Sequence, residues 1–445
     1  MVVYEKGGKV MSFQIKKSKF AKPTVRLNEQ TAEQLGLVRG SKVEISYGKR
    51  NMNVILDTKS SVAIDDILID EKVISEMLVE TGVRYELKFF GNRLIIGPII
   101  GLLLGRKGAK LENNLNNFLL YTQLYSYIGG VLFVFAEDQI DFQNGHITGY
   151  IYDPKLGDHP WREAKLPFPG AIFRRVELSK TVFQNLVKTM GNRFFNGYYF
   201  NKWELWEWVS PDLNLQPYLP ETSQNINKEL LEYYLNLYEG VYFKPRGGSR
   251  GKGIYYIEKE KGLFKVQKNY EADPEYMDEI KIEAFLSSYP SYLLQQPINL
   301  KTYDGRKIDY RAITQKDLYG DWQCTGIIGR FGKRNAITSN FLAKGFARDA
   351  FEAIQLQFEC RPEKAFKLYE EMTKICIEIA TAIDRIGGGY GDLGIDLGID
   401  NNEKIWLIEI NKRPDHDLPL KIKDRKMYYD IKSNPILYAN YLAMS

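Results

Sequence analysis

Residues 394–414, GIDLGIDNNEKIWLIEINKRP, restrict what this chain can fold into more than any other stretch. Two apolar runs, 393–399 and 404–410, flank the turn Asp400-Asn-Asn-Glu403 and predict a strand pair folded back on itself. Alternate side chains of a strand share a face, so Glu409 and Asn411 point the same way and Asp396 on the partner strand can face them. Glu409 lies among Leu407, Ile408 and Ile410, and burying a lone carboxylate is expensive. Two arrangements offset that cost: an ion pair with some Lys or Arg, or a cation held by oxygen donors. Asp, Glu and an Asn carbonyl are hard ligands that suit Mg²⁺, above all where phosphates complete the octahedron.

A second motif lies upstream, YFKPRGGSRGKGI at 242–254. One strand delivers Lys244, a glycine loop follows, and a second strand leaves at Ile254. Gly247, Gly248, Gly251 and Gly253 let the backbone close over a ligand and aim N–H groups at phosphate oxygens. Lys244, Arg246, Arg250 and Lys252 add positive charge. A P-loop is excluded, because Gly253 rather than Ser or Thr follows Lys252 and the loop lies between strands. A solvated basic hairpin is the plainer alternative. Residues 389–394 spell GxGxxG but enter a strand from a helix, the reverse of a dinucleotide-binding turn.

Length bounds the rest: 445 residues suggest about three domains. The segments read as a β-rich module over 1–95, which can form a barrel, a mixed α/β region over 96–177, and the motif-bearing part over 178–445. Strands are expected at 25–28, 43–47 and 54–56, and a short helix at 31–37. Residues 178–240 read as mainly helical, and a long helix is expected from Pro362 to Ile386. Its apolar residues Ala365, Leu368, Met372, Ile375, Ile379 and Ile383 recur at helical spacing. Trp203 and Trp206 share one helix face; core or interlobe packing and a peptide-binding shelf both fit them.

Three cysteines without a CxxC pair argue against disulfides or a thiolate zinc site, and three scattered histidines against a His-rich one. A net charge of +5 and no aromatic-interleaved basic runs argue against nucleic acid. The start of the chain lacks an apolar signal segment, and the most apolar run, 94–104, is too short to cross a bilayer. No membrane partner and a cytoplasmic location are therefore expected.

The order of these features (a lysine on a strand before a glycine loop, an apolar hinge, a basic strand, then Asp…Glu-x-Asn) resembles the ATP-grasp superfamily over about 180–430. The segments FNKWELWEW, YLPET, FKPRGGSRGKGI and WLIEINKRP look more closely like the YheC/YheD endospore coat-associated proteins. The resemblance implies an α+β, ATP-grasp fold: two α/β lobes with ATP between them, and a lid at about 225–297. It implies ATP with Mg²⁺, two ions, as cofactors. Lys202 and Lys244 would contact phosphates, with Gly248, Ser249 and Gly251 forming the cover over them. Gln295, Gln296 and Ile298 belong to the hinge that holds adenine, where the superfamily commonly carries an acidic residue near Gln296. Asp309 and Arg311 match an Asp-x-Arg strand. Arg330, with Ser339 and Asn340, resembles the phosphate- and substrate-facing segment. Asp396, Glu409 and Asn411 match the metal triad, and Arg311 and Arg330 are the expected catalytic residues. The implied reaction joins a carboxylate to an amine, with a peptide or spore-coat protein as partner. A small-molecule kinase and a catalytically silent coat protein are the alternatives.

Overall fold

Alternating apolar residues in short strands close a seven-stranded barrel in the first part of the chain. In Lys42–Tyr47, for example, Val43, Ile45 and Tyr47 are buried. The strand order around the barrel is Phe13–Ser18, Asp66–Asp70, Thr24–Leu27, Arg50–Thr58, Lys42–Tyr47, Arg93–Gly97 and Arg84–Phe90, and the last pairs back with the first. The short helix forms at Glu29–Gln34, a little earlier than its apolar spacing predicts, because Asn28 caps it by accepting from the Gln30 N–H at 2.9 Å. The computed structural model describes residues 12–248, 252–269, 271, 273–334 and 345–445.

A second sheet follows, built on Ile99–Gly105 between the parallel strands Val131–Ala136 and Ala171–Arg174. One apolar core runs through the barrel and into this sheet, joining Tyr47 and Leu94 to Phe133 and Ile172. No helix among the described residues is long and apolar enough to cross a membrane.

Two further sheets carry the motifs. The glycine-loop sheet runs Thr222–Ser223, Tyr292–Gln295, Gly240–Pro245, Tyr255–Glu260, Leu263–Lys268, Glu275–Met277. Helices Lys228–Tyr238 and Glu279–Ser287 share a core with it. The second of these helices was not anticipated in the sequence, although Asp278 caps it and Ile282 and Leu286 recur at helical spacing. The acidic sheet runs Phe346–Asp349, Trp322–Arg334, Arg306–Lys316, Asp392–Ile399, Ile405–Asn411. It packs against helix Pro362–Ile386, whose Ala365, Leu368, Met372, Ile375, Ile379 and Ile383 are all buried. Residues 178–240 hold three α-helices, Lys180–Met190, Lys202–Val209 and Lys228–Tyr238, but less helix than expected. Pro211, Pro217 and Pro220 break the segment between the last two.

One buried side chain joins the sequence-distant halves of this assembly. Asn196 is fully buried at a left-handed φ of 53°, a conformation Asn tolerates better than most residues. Its Oδ1 accepts from the Gly391 and Asp392 N–H groups at 2.9 and 3.1 Å. Its Nδ2 donates to the Asp392 carbonyl and, at 2.8 Å, to the Lys412 carbonyl. Both acidic strands are thereby pinned at one end. Asn196→Ala leaves these backbone groups without partners, and is expected to destabilise the protein by about 3 kcal/mol or more, read as a lowered denaturation midpoint.

Candidate active site

Strand register does most of the assembly. Arg311 lies directly across from Asp396, Asp309 across from Arg330, and Asp396 across from Glu409. Four adjacent strands thus bring their polar side chains to one face. Gly394 makes room for this: a Cβ there would sit 3.1 Å from the Arg311 Cδ and 2.8 Å from the Pro414 Cβ. The ladder between the acidic strands shifts after Asp396, leaving Ile408 as an extra residue opposite the Asp396–Leu397 step. Such bulges re-aim side chains and are common beside active sites.

Asp396 is 3% exposed and is held by two guanidinium groups. Arg311 binds it in a fork, Nε to Oδ1 and Nη2 to Oδ2, the latter at 2.8 Å. Arg330 Nη2 reaches Oδ2 at 3.0 Å, and Arg330 Nε donates to Asp309. The four charges sum to zero, so the cluster can stay buried. Burial by itself raises the Asp396 carboxyl, but Arg311 and Arg330 outweigh it and hold it below the usual range. For Arg330 burial acts downward, and Asp309 and Asp396 prevail and raise it. The ion-pair arrangement that offset a buried carboxylate in the sequence is therefore realised at Asp396. Glu409 is only half-buried, although Leu407 and Ile410 on the same strand are buried.

The Asn411 amide sits between the carboxylates, with Nδ2 3.3 Å from both Asp396 Oδ2 and Glu409 Oε1. The two amide atoms are interchangeable by rotation, and the rotated side chain offers Oδ1 to the same point. Three oxygen donors then converge, a set that fits Mg²⁺ if phosphate and water supply the remaining ligands. Among the described residues, no group of three or more His, Cys, Asp or Glu side chains gathers to hold a metal by itself.

Lysines gather around Glu409 from other elements. Asn201 caps helix Lys202–Val209 in a reciprocal box with Glu204, which fixes Lys202 in the first turn. Lys202 Nζ donates to the Gly248 carbonyl at 3.1 Å. Lys244 is buried and donates to Gln295 Oε1, while Gln295 Nε2 is tied to Thr222 Oγ1 at 2.7 Å. Burial pushes Lys244 down to about 7, repulsion from Lys202 adds to this, and Glu409 opposes it. Burial likewise lowers Lys202. Lys412 is a third member that the sequence reading passed over: it donates to the Phe200 carbonyl at 2.6 Å, and burial pushes it down to about 8 against the pull of Glu409. Its one signal was its place directly after Asn411. Lys307 was also missed; it donates to the Tyr242 hydroxyl at 3.2 Å and bridges the two sheets.

Of the remaining expected residues, Gln296 and Ile298 lie just beyond the end of the strand Tyr292–Gln295. Gln296 is tied up with Glu221, accepting from its N–H at 3.0 Å and donating a backbone N–H to its carbonyl. The Ile298 carbonyl accepts from Leu300 N–H at 2.9 Å, beyond the strand Tyr292–Gln295. Ser249, Gly251, Ser339 and Asn340 lie outside the described residues.

These groups, lysines that act on Glu409 and a carboxylate–amide set beside them, suit a polyanion bound through a hard cation. Comparison with known proteins gives that class a name. The profile of the YheC/D like ATP-grasp family matches residues 191–442, more than half of the chain, and the chain belongs to that family. Over 368 residues it is 26% identical to the endospore coat-associated protein YheD of Bacillus subtilis (strain 168), covering 78% of this chain and 79% of that one. It is 21% identical to YheC of the same organism, over 59% of this chain and 75% of the relative. The structure of the D-alanine–D-alanine ligase from Coxiella burnetii overlaps with a TM-score of 0.42 and 10% identity, over 78% of this chain and 95% of that one. The ATP-grasp fold uses ATP and Mg²⁺ in general.

Lys244 gives this site a measurable proton balance. Between pH 7 and 10.5 the unfolded chain carries a proton on Lys244 that the native chain lacks, so this group makes stability rise with pH across that window. A bound polyphosphate restores the charge. Binding of ATP at pH 8 is therefore expected to take up protons, measured by calorimetry in buffers of different ionisation enthalpy, and Lys244→Met is expected to reduce that uptake, leaving the part that Lys202 and Lys412 contribute.

Proposed function

We propose that this chain is an ATP-dependent carboxylate–amine ligase, forming an amide bond through an acyl phosphate and releasing ADP and phosphate. The observation that carries this reading is the opposition of Lys202 and Lys244 to the converging Asp396, Glu409 and Asn411 donors, in a member of the ATP-grasp family. Lys202 and Lys244 hold the α- and β-phosphates, and the loop with Gly248, Ser249 and Gly251 covers the triphosphate. Gln295, Gln296 and Ile298 line the adenine side. Asp396, Glu409 and Asn411 would hold Mg²⁺, two ions in this reading, which would supply charge neutralisation to the triphosphate.

A substrate carboxylate oxygen attacks the γ-phosphorus, the bond to the bridging β,γ oxygen breaks, and ADP leaves. The amine nitrogen then attacks the acyl carbon; the C–O bond to phosphate breaks, and the amine proton passes to solvent. Arg311 and Arg330 keep their donors fixed by Asp396 and Asp309, so they meet the transferring phosphoryl group without reorganising. Catalysis rests on positioning and charge and uses no Ser or Cys nucleophile. The names of the relatives favour a peptide or coat-protein substrate and a place at the spore coat.

The test is ATP turnover read by mass spectrometry, with pooled amino acids and with coat peptides. ADP, phosphate and a product lighter by one water than its two parts are expected. Glu409→Ala is expected to lower that turnover at least about a hundredfold. ADP with a phosphorylated product would make the protein a kinase, and ATP binding without turnover in any pool would favour a silent coat role.

A further inference from the structure

A cavity of about 250 Å³ lies where the barrel, the second sheet and the C-terminal helix Arg425–Ala443 meet. Three cations line it. Lys49 stands at the tip of the hairpin between strands Lys42–Tyr47 and Arg50–Thr58, Arg93 opens the strand Arg93–Gly97, and Arg193 follows helix Lys180–Met190. No Asp or Glu lines the cavity. Arg93 pairs at its rim with Glu44 at 3.0 Å, and Arg193 Nη2 donates at 2.6 Å to the terminal carboxylate of Ser445, which also lines the cavity and offsets one of the three cations. Lys49 makes no ion pair among the described residues. Burial lowers the Lys49 pKa, with Arg193 and Arg93 adding to the effect, and burial with Arg93 lowers that of Arg193. The three charges therefore repel one another across the same space.

The position of Lys49 is built in. Gly48 has a φ of +58°, and a Cβ there would sit 2.2 Å from the Phe168 carbonyl oxygen, so only glycine fits. The Lys49 N–H donates to that same oxygen at 2.8 Å. The hairpin tip is thus fastened to the second sheet, with Lys49 at the cavity. Apolar residues Ile95, Ile96, Ile99 and Ala443 also line the cavity. An anion with two charges relieves the repulsion, and a small apolar body covers the isoleucines. The volume lies below the roughly 300–1,000 Å³ of pockets for drug-sized ligands, which points to a small molecule.

We propose that this cavity is a second ligand site, apart from the candidate active site, that binds a small phosphate monoester with an apolar body through Lys49, Arg93 and Arg193. The test uses calorimetric titration of the full chain carrying Lys244→Met, which weakens anion binding in the main cleft, with phenyl phosphate, inorganic phosphate and benzoate as probes. Phenyl phosphate is expected to bind one to one, and more tightly than the other two. Lys49→Glu is expected to weaken it at least about tenfold, while Lys49→Arg retains binding and both variants keep the parent melting temperature within a few degrees. Equal binding of phenyl phosphate and inorganic phosphate would overturn the role given to the isoleucines. Undiminished binding in Lys49→Glu, or no binding at millimolar phenyl phosphate, would overturn the site.

Discussion

The ion pairs linking Asp309, Arg330, Asp396 and Arg311 span three neighbouring strands, and the candidate active site is arranged around them. Each member is buried or nearly so, and removing any one leaves an unpaired charge in a medium that penalises it heavily. The cluster therefore fixes which face of the acidic sheet is polar. It also fixes how far Asp396 stands from Glu409 and Asn411. Gly394 and the bulge at Ile408 are the local concessions the backbone makes to it.

Charge is distributed unevenly across the cleft. The acidic sheet balances its own arginines, while Lys202, Lys244 and Lys412 share the half-buried carboxylate of Glu409, with Glu204 acting on Lys412 as well. Burial lowers all three lysines because there is too little negative charge nearby to sustain them.

What was legible in the sequence is what is local. The glycine loop, the long helix from Pro362 to Ile386 and the paired strands around Asp400 declare themselves through spacing and turn residues within a few positions. The helix Glu279–Ser287 was hidden because its apolar residues do not keep to one face: Ile282 and Leu286 are buried, while Ile280 is exposed. The pairing of Asp309 with Arg330 depends on strand register, which no short motif encodes. Lys412 and Asn196 were invisible for the same reason, since their partners come from segments far away in the chain. The run around Glu409 is buried as its apolar residues indicate, but its spacing does not reveal that Glu409 itself stays half-buried.

Asn196 also bears on how the molecule comes to exist. Its amide joins residue 196 to residues 391, 392 and 412, a separation of about two hundred positions. Contacts of such long range close large loops and form slowly. A ribosome must release the last strand before this amide can meet its partners. The nascent chain therefore cannot complete this contact until residue 412 has left the ribosome, long after the barrel strands have emerged.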